Sequence, residues 1–287
     1  MNYSLIIEDR KSTREYKKKA VGPEVGNAIK EFHDKECMRL FSDIDTEVFI
    51  AETCNKEALE AAAGYKEFIV GSPNYMILLT EEHEYAGINA GYITEDISLK
   101  LIDMGYGACF VTFTDSEKIK CVLGIQSDKK VGAILAFGIP EKAKKRMHVN
   151  LLTMAGISFK EKQQYFAPKK GALDLAYLER FGNKDGVDEQ IDFYGDILWE
   201  SLLAASNSPS YMNRQPYAFI IKDHVLTLVS LPDEWTGPID GALNLGVVMQ
   251  HVAAAALSYN GSAAWSMGGE DVEGLPEGAV TIAEMRI

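Results

Sequence analysis

The sequence predicts an α+β fold built from two related halves, and three observations predict it. Apolar residues at helical spacing recur in two places, a strand-like run precedes each, and a glycine-containing loop follows each. The first helical pattern is Ile88, Tyr92, Leu99 and Ile102, and the second is Leu245, Val248, Met249, Val252, Ala256 and Tyr259. Sliding the chain by 155 positions sets Asn89 on Asn244, Gly91 on Gly246, Ile97 on Val252 and Phe110 on Trp265. An ordered match of this kind is the trace of a repeated structural unit.

In chain order, Asn74–Thr80 reads as a strand, and the helix that follows ends at Gly105-Tyr106-Gly107 before a short run closing on Phe110. Residues 141–190 lose periodicity and fill with Lys, Gly and Pro, as in Ala167-Pro168-Lys169-Lys170-Gly171 and Gly182-Asn183-Lys184-Asp185-Gly186, which places the boundary there. Phe193, Ile197, Leu198, Leu202 and Leu203 then mark one amphipathic helix, followed by strands at 218–221 and 225–230 and the second apolar helix, ending at Asn260-Gly261. The organisation expected is therefore a first half over 1–150, a linker over 151–190 and a second half over 191–287.

Composition narrows the function. With 287 residues, 47% of them hydrophobic, the chain can bury a sizeable core, and its length suits two domains. A net charge of -13 argues against nucleic acid or anionic membranes as partners. The opening lacks a secretory pattern and no run reads as a membrane span, so a cytoplasmic protein is expected. Cys37, Cys54, Cys109 and Cys121 contain no Cys-x-x-Cys pair and read as reduced thiols. No metal site is expected: His33 and Cys37 sit four apart but lack further spaced ligands. Met104, Tyr106, Phe193, Trp199, Met249 and Trp265 read as core packing.

Two segments can carry chemistry. Arg10-Lys11-Ser12-Thr13-Arg14, followed by Lys17-Lys18-Lys19, is a positive island in an acidic chain, and two guanidinium forks with a hydroxyl can hold a phosphate dianion. Taken alone it could equally be a solvated basic stretch. The second is Ala204–Tyr217, where Pro209 and Pro216 stiffen a loop carrying hydroxyls and carboxamides. Alone, it is also the composition of a plain helix-to-strand turn. No Gly-x-Ser-x-Gly is present, and Gly105-Tyr106-Gly107 lacks the third glycine of the dinucleotide fingerprint.

Together these segments resemble the flavin-dependent nitroreductase family, with an Arg-Arg-Ser-x-Arg-like motif at Arg10–Arg14, a Ser-rich Asn/Gln loop at Ser208–Tyr217, and a helix-ending glycine motif at Gly105–Phe110. Gly138-Ile139-Pro140 and the basic Lys144-Lys145-Arg146 resemble its closing Gly-x-Pro and phosphate-side arginine. The order is unusual, because nearly the whole first half separates the arginine motif from the Asn/Gln loop, and Phe32–Cys37 stands where that loop is expected.

The resemblance implies a nitroreductase-like fold whose two halves form a pseudo-dimer in one chain. It implies FMN as cofactor, with Arg10, Lys11, Ser12, Arg14 and Arg146 around the phosphate, and Gly105, Tyr106, Gly107, Thr112 and Phe113 near the ring. Ser208, Pro209, Ser210, Asn213 and Gln215 would line the ribityl chain and pyrimidine edge. Tyr211, Met212 and Tyr217 could line the acceptor pocket. The mirror-related site is expected to be defunct: the arginine motif shifted by 155 falls on Tyr165–Lys169, which has no arginine, and the loop's counterpart Thr53–Ala61 has no proline. The implied activity is an NAD(P)H oxidoreductase reducing nitroaromatics or quinones by a ping-pong hydride transfer, with Thr112 facing the reactive nitrogen and one flavin per chain. The alternatives are a non-catalytic flavin-binding, sensor or interaction module, and a flavin-dependent dehalogenase or flavin-breakdown relative. A fused pair predicts a complete site in a monomer, a homodimer being the other arrangement.

Overall fold

Every residue of Asn74–Thr80 is buried, because both faces of this strand carry a layer of the protein. A computed structural model describes residues 1–51, 56–64, 71–141, 146–153, 156–162, 169–260 and 263–287, with backbone alone for 56, 146–153, 156–162 and 260. Cys54, Lys144, Lys145, Tyr165–Pro168 and Gly261, and the Arg146 side chain, lie outside what it describes.

The first half runs α1 (Tyr3–Asp9), α2 (Pro23–Lys35), β1 (Thr46–Ala51), α3 (Lys56–Glu60), β2 (Asn74–Thr80), α4 (Ala86–Asp103), β3 (Gly107–Phe110), α5 (Ser116–Leu123) and β4 (Lys130–Gly138). A hairpin of β5 (Arg146–Thr153) and β6 (Gly156–Lys162) follows. The second half runs α6 (Ala172–Leu175), β7 (Ala176–Leu178), α7 (Val187–Tyr194), α8 (Asp196–Asn207), β8 (Tyr217–Lys222), β9 (Val225–Ser230), α9 (Pro238–Asn260), β10 (Trp265–Met267) and β11 (Val280–Arg286).

The two sheets share one topology. The first has strand order β1-β2-β4-β3, and the second β8-β9-β11-β10 with β7 added at the β8 edge. All pairs are antiparallel except β7 with β8. In each half a helix precedes the first strand, α2 or α8, and a long helix joins the second strand to the third, α4 or α9. The expectation of two related α+β halves is met at the level of strand order.

α4 and α9 pack against each other through small residues. A Cβ on Gly91 would run into the Leu243 backbone, and one on Gly246 into the Ile88 carbonyl. These two contacts are the same contact exchanged, since 91 corresponds to 246 and 88 to 243 under the repeat. The halves are therefore related by an approximate two-fold axis between α4 and α9, and glycine is required where their backbones meet. Pro238–Tyr259 is long and apolar enough to cross a membrane by length and composition, and here it is a core helix packed on α4 and α8.

Several expectations change. The single helix expected around Phe193–Leu203 is two, α7 and α8, broken at Gly195, whose φ of 65 lies in the left-handed region. Phe193 stays 71% exposed and Trp199 37%, so neither is core, whereas Met249 is fully buried. The stretch from Ala172 to Leu178, read as linker, is built into the second half: Ala172, Leu175 and Ala176 join its core and β7 extends its sheet.

Candidate active site

The long helices carry ionisable groups where their sequences are otherwise apolar. Glu95 and Asp96 on α4, and Gln250 and His251 on α9, are all fully buried. Arg10, at the C-terminal end of α1, donates from Nε to Glu95 Oε1 at 2.8 Å and from Nη2 to Oε2 at 3.3 Å. His251 Nε2 lies 2.8 Å from the same Oε1, and its Nδ1 lies 3.1 Å from the Ala204 carbonyl oxygen. Burial pushes the Glu95 carboxyl up, but Arg10 and His251 outweigh it and hold it below the usual carboxylate range. Gln250 Nε2 donates to Asp96 Oδ1 at 3.0 Å, the two-fold mate of the 95–251 contact. Asp96 also accepts from the Tyr3 hydroxyl and the Met38 amide, each at 2.7 Å, and its burial without a cation pushes its carboxyl up.

Arg10 has one more partner. Its Nη1 donates to Ser12 Oγ at 3.1 Å, so the serine accepts from the arginine and turns its own proton away from it. Ser12 and Arg14 face a cleft of about 280 Å³ between the two halves. The segment carrying them runs along β3, with Ser12 bridging Ala108 and the Thr13 amide donating to the Ala108 carbonyl at 2.9 Å. Gly107 permits that approach, because a Cβ there would strike the Thr13 side chain.

The first half also gives the cleft Gly64, Cys109, Phe110, Val111 and Thr112. The second half gives Pro209, Ser210, Tyr211 and Met212 from the loop after α8, and Asp240, Leu243, Asn244 and Val247 from the first turns of α9. Asp240 and Asn244 stand one helical turn apart on one face. Thr112 donates its hydroxyl to Asp240 Oδ2 at 2.8 Å, and burial raises the Asp240 carboxyl above its ordinary value against that bond. Asn244 Oδ1 accepts from the Tyr211 amide at 2.8 Å, which fixes the amide's orientation, and its Nδ2 has no partner among the described residues. The Cys109 thiol is pushed up by burial, which makes it a poor nucleophile.

Of the residues singled out from sequence, the cleft gathers Ser12, Arg14, Thr112, Pro209 and Ser210, together with Tyr211 and Met212. Arg10 stands behind Ser12, and Lys11 is exposed outside the lining. Gly105, with φ of 85, ends α4, and Tyr106 packs partly buried on the first-half core. Phe113 is buried in the core on the far face of the first sheet. Ser208, Gln215 and Tyr217 sit behind the loop: Ser208 Oγ donates to the Ala205 carbonyl, and Gln215 Nε2 donates to the Ser206 carbonyl while Oε1 accepts from the Lys170 amide. The expectation that Tyr217 lines the pocket is corrected, since its ring is fully buried and its hydroxyl bonds Ser208 at 2.6 Å. Met212, Asn213 and Gln215 all have positive φ, so the loop is sharply folded. The sequence motifs do not point to Glu95, His251, Asp240 or Asn244; the signal they carry is that of polar residues inside two apolar helices related by the repeat.

The mirror-related position is closed. Asn89, the mate of Asn244, spends its amide on Phe41, accepting from its nitrogen at 3.1 Å and donating to its carbonyl at 3.4 Å. Phe41 is stacked on Tyr85, the mate of Asp240, with ring centroids 5.2 Å apart and planes 5° from parallel. Met38 and Leu40 on one side and Trp265 and Met267 on the other pack against the second-half core. The counterpart of the Ser208–Asn213 loop is therefore the chain around Met38–Phe41, which corrects the expected Thr53–Ala61. The repeat offset changes ahead of β2, because β8 and β9 join through a tight turn at Asp223-His224, both with positive φ, while the β1–β2 link is long and carries α3.

The family profile described as "Putative TM nitroreductase" matches residues 3–176. No curated protein gives a match. Among solved structures, a Thermotoga maritima protein of the same designation covers 100% of this chain and 94% of its own at 15% identity, with a TM-score of 0.59. An FMN-dependent nitroreductase from Clostridium difficile R20291 covers 48% of this chain and 88% of its own at 17% identity, with a TM-score of 0.42. Iodotyrosine deiodinase bound to FMN and 3-iodo-L-tyrosine covers 53% of this chain and 97% of its own at 16% identity, with a TM-score of 0.42. With its profile matched over more than half the sequence, this chain belongs to the nitroreductase family that the profile describes.

Proposed function

We propose that this protein is an FMN-dependent NAD(P)H oxidoreductase that reduces electron-poor acceptors such as nitroaromatics and quinones, with one flavin per chain held between its two halves. The observation carrying this reading is the joining, in one cleft, of Ser12 and Arg14 from the first half with Pro209 and Ser210 from the second.

The residues present suit the cofactor. Arg14 and the Ser12 hydroxyl, primed by Arg10, are donors for a phosphate. Val111, Leu243 and Val247 give an apolar wall for a planar ring, and Asn244 brings a buried amide donor without a partner. Bound there, FMN would supply the hydride chemistry. The chain's own tasks are positioning and exclusion of water. The Thr112 hydroxyl is committed to Asp240, so its backbone N–H is the donor left to face the ring. Pro209, Tyr211 and Met212 form the wall against which an acceptor would lie. The filled mirror position supports one site per chain and a monomer as sufficient, the repeat reflecting an internal duplication.

Anaerobic addition of NADH or NADPH to the FMN-loaded protein tests the reading, the expected result being bleaching of one flavin per chain. Failure with both donors removes the reductase and leaves a flavin-binding module.

A further inference from the structure

Among the described residues, two charged side chains line the cleft, Arg14 from the first half and Asp240 from the second. Asp240 is fixed in place. Its Oδ2 accepts the Thr112 hydroxyl at 2.8 Å, and its position one helical turn before Asn244 keeps it on the wall that Leu243 and Val247 form. Its other oxygen, Oδ1, has no hydrogen-bond partner and no cation beside it among the described residues, and it is not sealed in the core. A carboxylate oxygen is thus offered to whatever enters the cleft, beside the apolar Val111, Met212, Leu243 and Val247.

We propose that Asp240 selects the acceptor, and that the acceptors this cleft prefers are electron-poor aromatics carrying a cationic substituent, a protonated amine or amidine, which donates to Asp240 Oδ1. The inference rests on the flavin reading above and narrows its acceptor. On that reading Ser12 and Arg14 are taken up by the phosphate, which leaves Asp240 as the charge facing the second ligand, and the Thr112 bond sets it beside the ring. A carboxylate half withdrawn from water without a counter-ion is unfavourable, and burial pushes this carboxyl up despite the Thr112 bond. An ammonium in hydrogen-bond contact reverses that effect, whereas an acceptor bearing its own carboxylate adds to it. The chain's net charge of -13 acts in the same direction at long range, because it draws cations. At the mirror position the mate of Asp240 is Tyr85, a neutral ring stacked on Phe41, so the negative charge goes with the open site. The competing role is structural: Asp240 only ties the halves together through Thr112.

Asp240→Asn separates the two roles, because it keeps an oxygen for the Thr112 hydroxyl and loses the charge. The FMN-loaded protein is assayed at pH 7, with NADH and with NADPH, on two acceptors of similar shape: 4-nitrobenzylamine, present as the ammonium, and the neutral 4-nitrobenzyl alcohol. The substitution is expected to lower the amine-to-alcohol ratio of kcat/KM about tenfold, mainly through KM for the amine. An unchanged ratio, or equal loss with both acceptors, overturns the inference in favour of the structural tie. If neither donor supports turnover of either acceptor, the reductase reading fails, and calorimetric binding of the same two compounds decides the inference by itself. It then stands only if wild type binds the amine about tenfold more tightly than the alcohol and Asp240→Asn does not, and any other pattern overturns it.

Discussion

Glu95 Oε1 accepts from Arg10 Nε at 2.8 Å and lies 2.8 Å from His251 Nε2, so one buried carboxylate ties the arginine motif of the first half to the central helix of the second. Removing it would leave two buried nitrogen bases without their acceptor. Breaking a buried pair by deleting one partner costs about 3–5 kcal/mol. Glu95→Ala should therefore lower stability by an amount in that range in urea unfolding. Glu95→Gln, which keeps two hydrogen-bonding atoms, should cost less. Equal stability of Glu95→Ala and wild type would show that the network is not part of the fold's support.

The two glycines at the α4–α9 crossing should be far less replaceable than the glycine ending α4. Gly246→Ala drives a methyl into the Ile88 backbone, whereas a Cβ on Gly105 meets nothing within 4 Å and suffers only from its φ of 85. Overpacking costs about 1–3 kcal/mol, and a left-handed non-glycine residue about 1–2. Thermal unfolding should rank Gly246→Ala below Gly105→Ala, and flavin binding should suffer only in the former, because the cleft is formed where the halves dock.

Asp240 is the one carboxylate lining the cleft among the described residues, and its partner there is the Thr112 hydroxyl. A negative charge in a partly desolvated wall should disfavour acceptors bearing a carboxylate. Asp240→Asn is expected to raise kcat/KM for a nitrobenzoate about tenfold relative to a neutral nitrobenzene, equivalent to roughly 1.4 kcal/mol. FMN affinity should not change. An unchanged ratio between the two acceptors would show that the acceptor does not pass near Asp240.

Folding stability should carry a pH signature. Desolvation, and then Arg10, bring the Lys169 amine down to about 8. A lysine depressed in the native state leaves more protons on the unfolded chain between about 8 and 10.5, so this group makes stability rise with pH across that window. Urea unfolding from pH 7 to 9.5, with Lys169→Met as the control lacking the slope, provides the measurement.

Arg14 is exposed and lines the cleft, unlike Arg10, which is buried behind Ser12. Arg14→Ala should weaken FMN about tenfold with little effect on unfolding, because a surface cation contributes about 0–1 kcal/mol to stability. Arg10→Ala should damage both. If the two variants behave alike, the division between a contacting and a supporting arginine is wrong.

Much of this protein was legible because helices, strands and turns are written in local periodicity. Val248, Met249 and Val252 announce α9, Ile77 and Leu79 announce β2, and Asn89 with Asn244 announces the repeat before any contact is known. The Arg10–Arg14 segment and the Ser208–Gln215 loop stood out because unusual residue types cluster within a few positions. What the sequence could not decide are relations across long separations. The two helices either side of Gly195 read as one in sequence because their flanks share an apolar period. A constant offset points to Thr53–Ala61 as the loop's mate because it hides the longer β1–β2 link.

By itself, then, the sequence determined that there are two α+β units, where their long helices lie, and which two loops carry unusual chemistry, since each is set by neighbours along the chain. Only the tertiary structure decided that Ser12 and Arg14 meet Pro209 and Ser210, that Phe41 on Tyr85 fills the mirror position, and that Glu95 joins Arg10 to His251. The physical reason is that burial and pairing depend on how α4 and α9 cross, and that crossing is fixed by close packing at Gly91 and Gly246, residues whose meaning appears only when the two backbones touch.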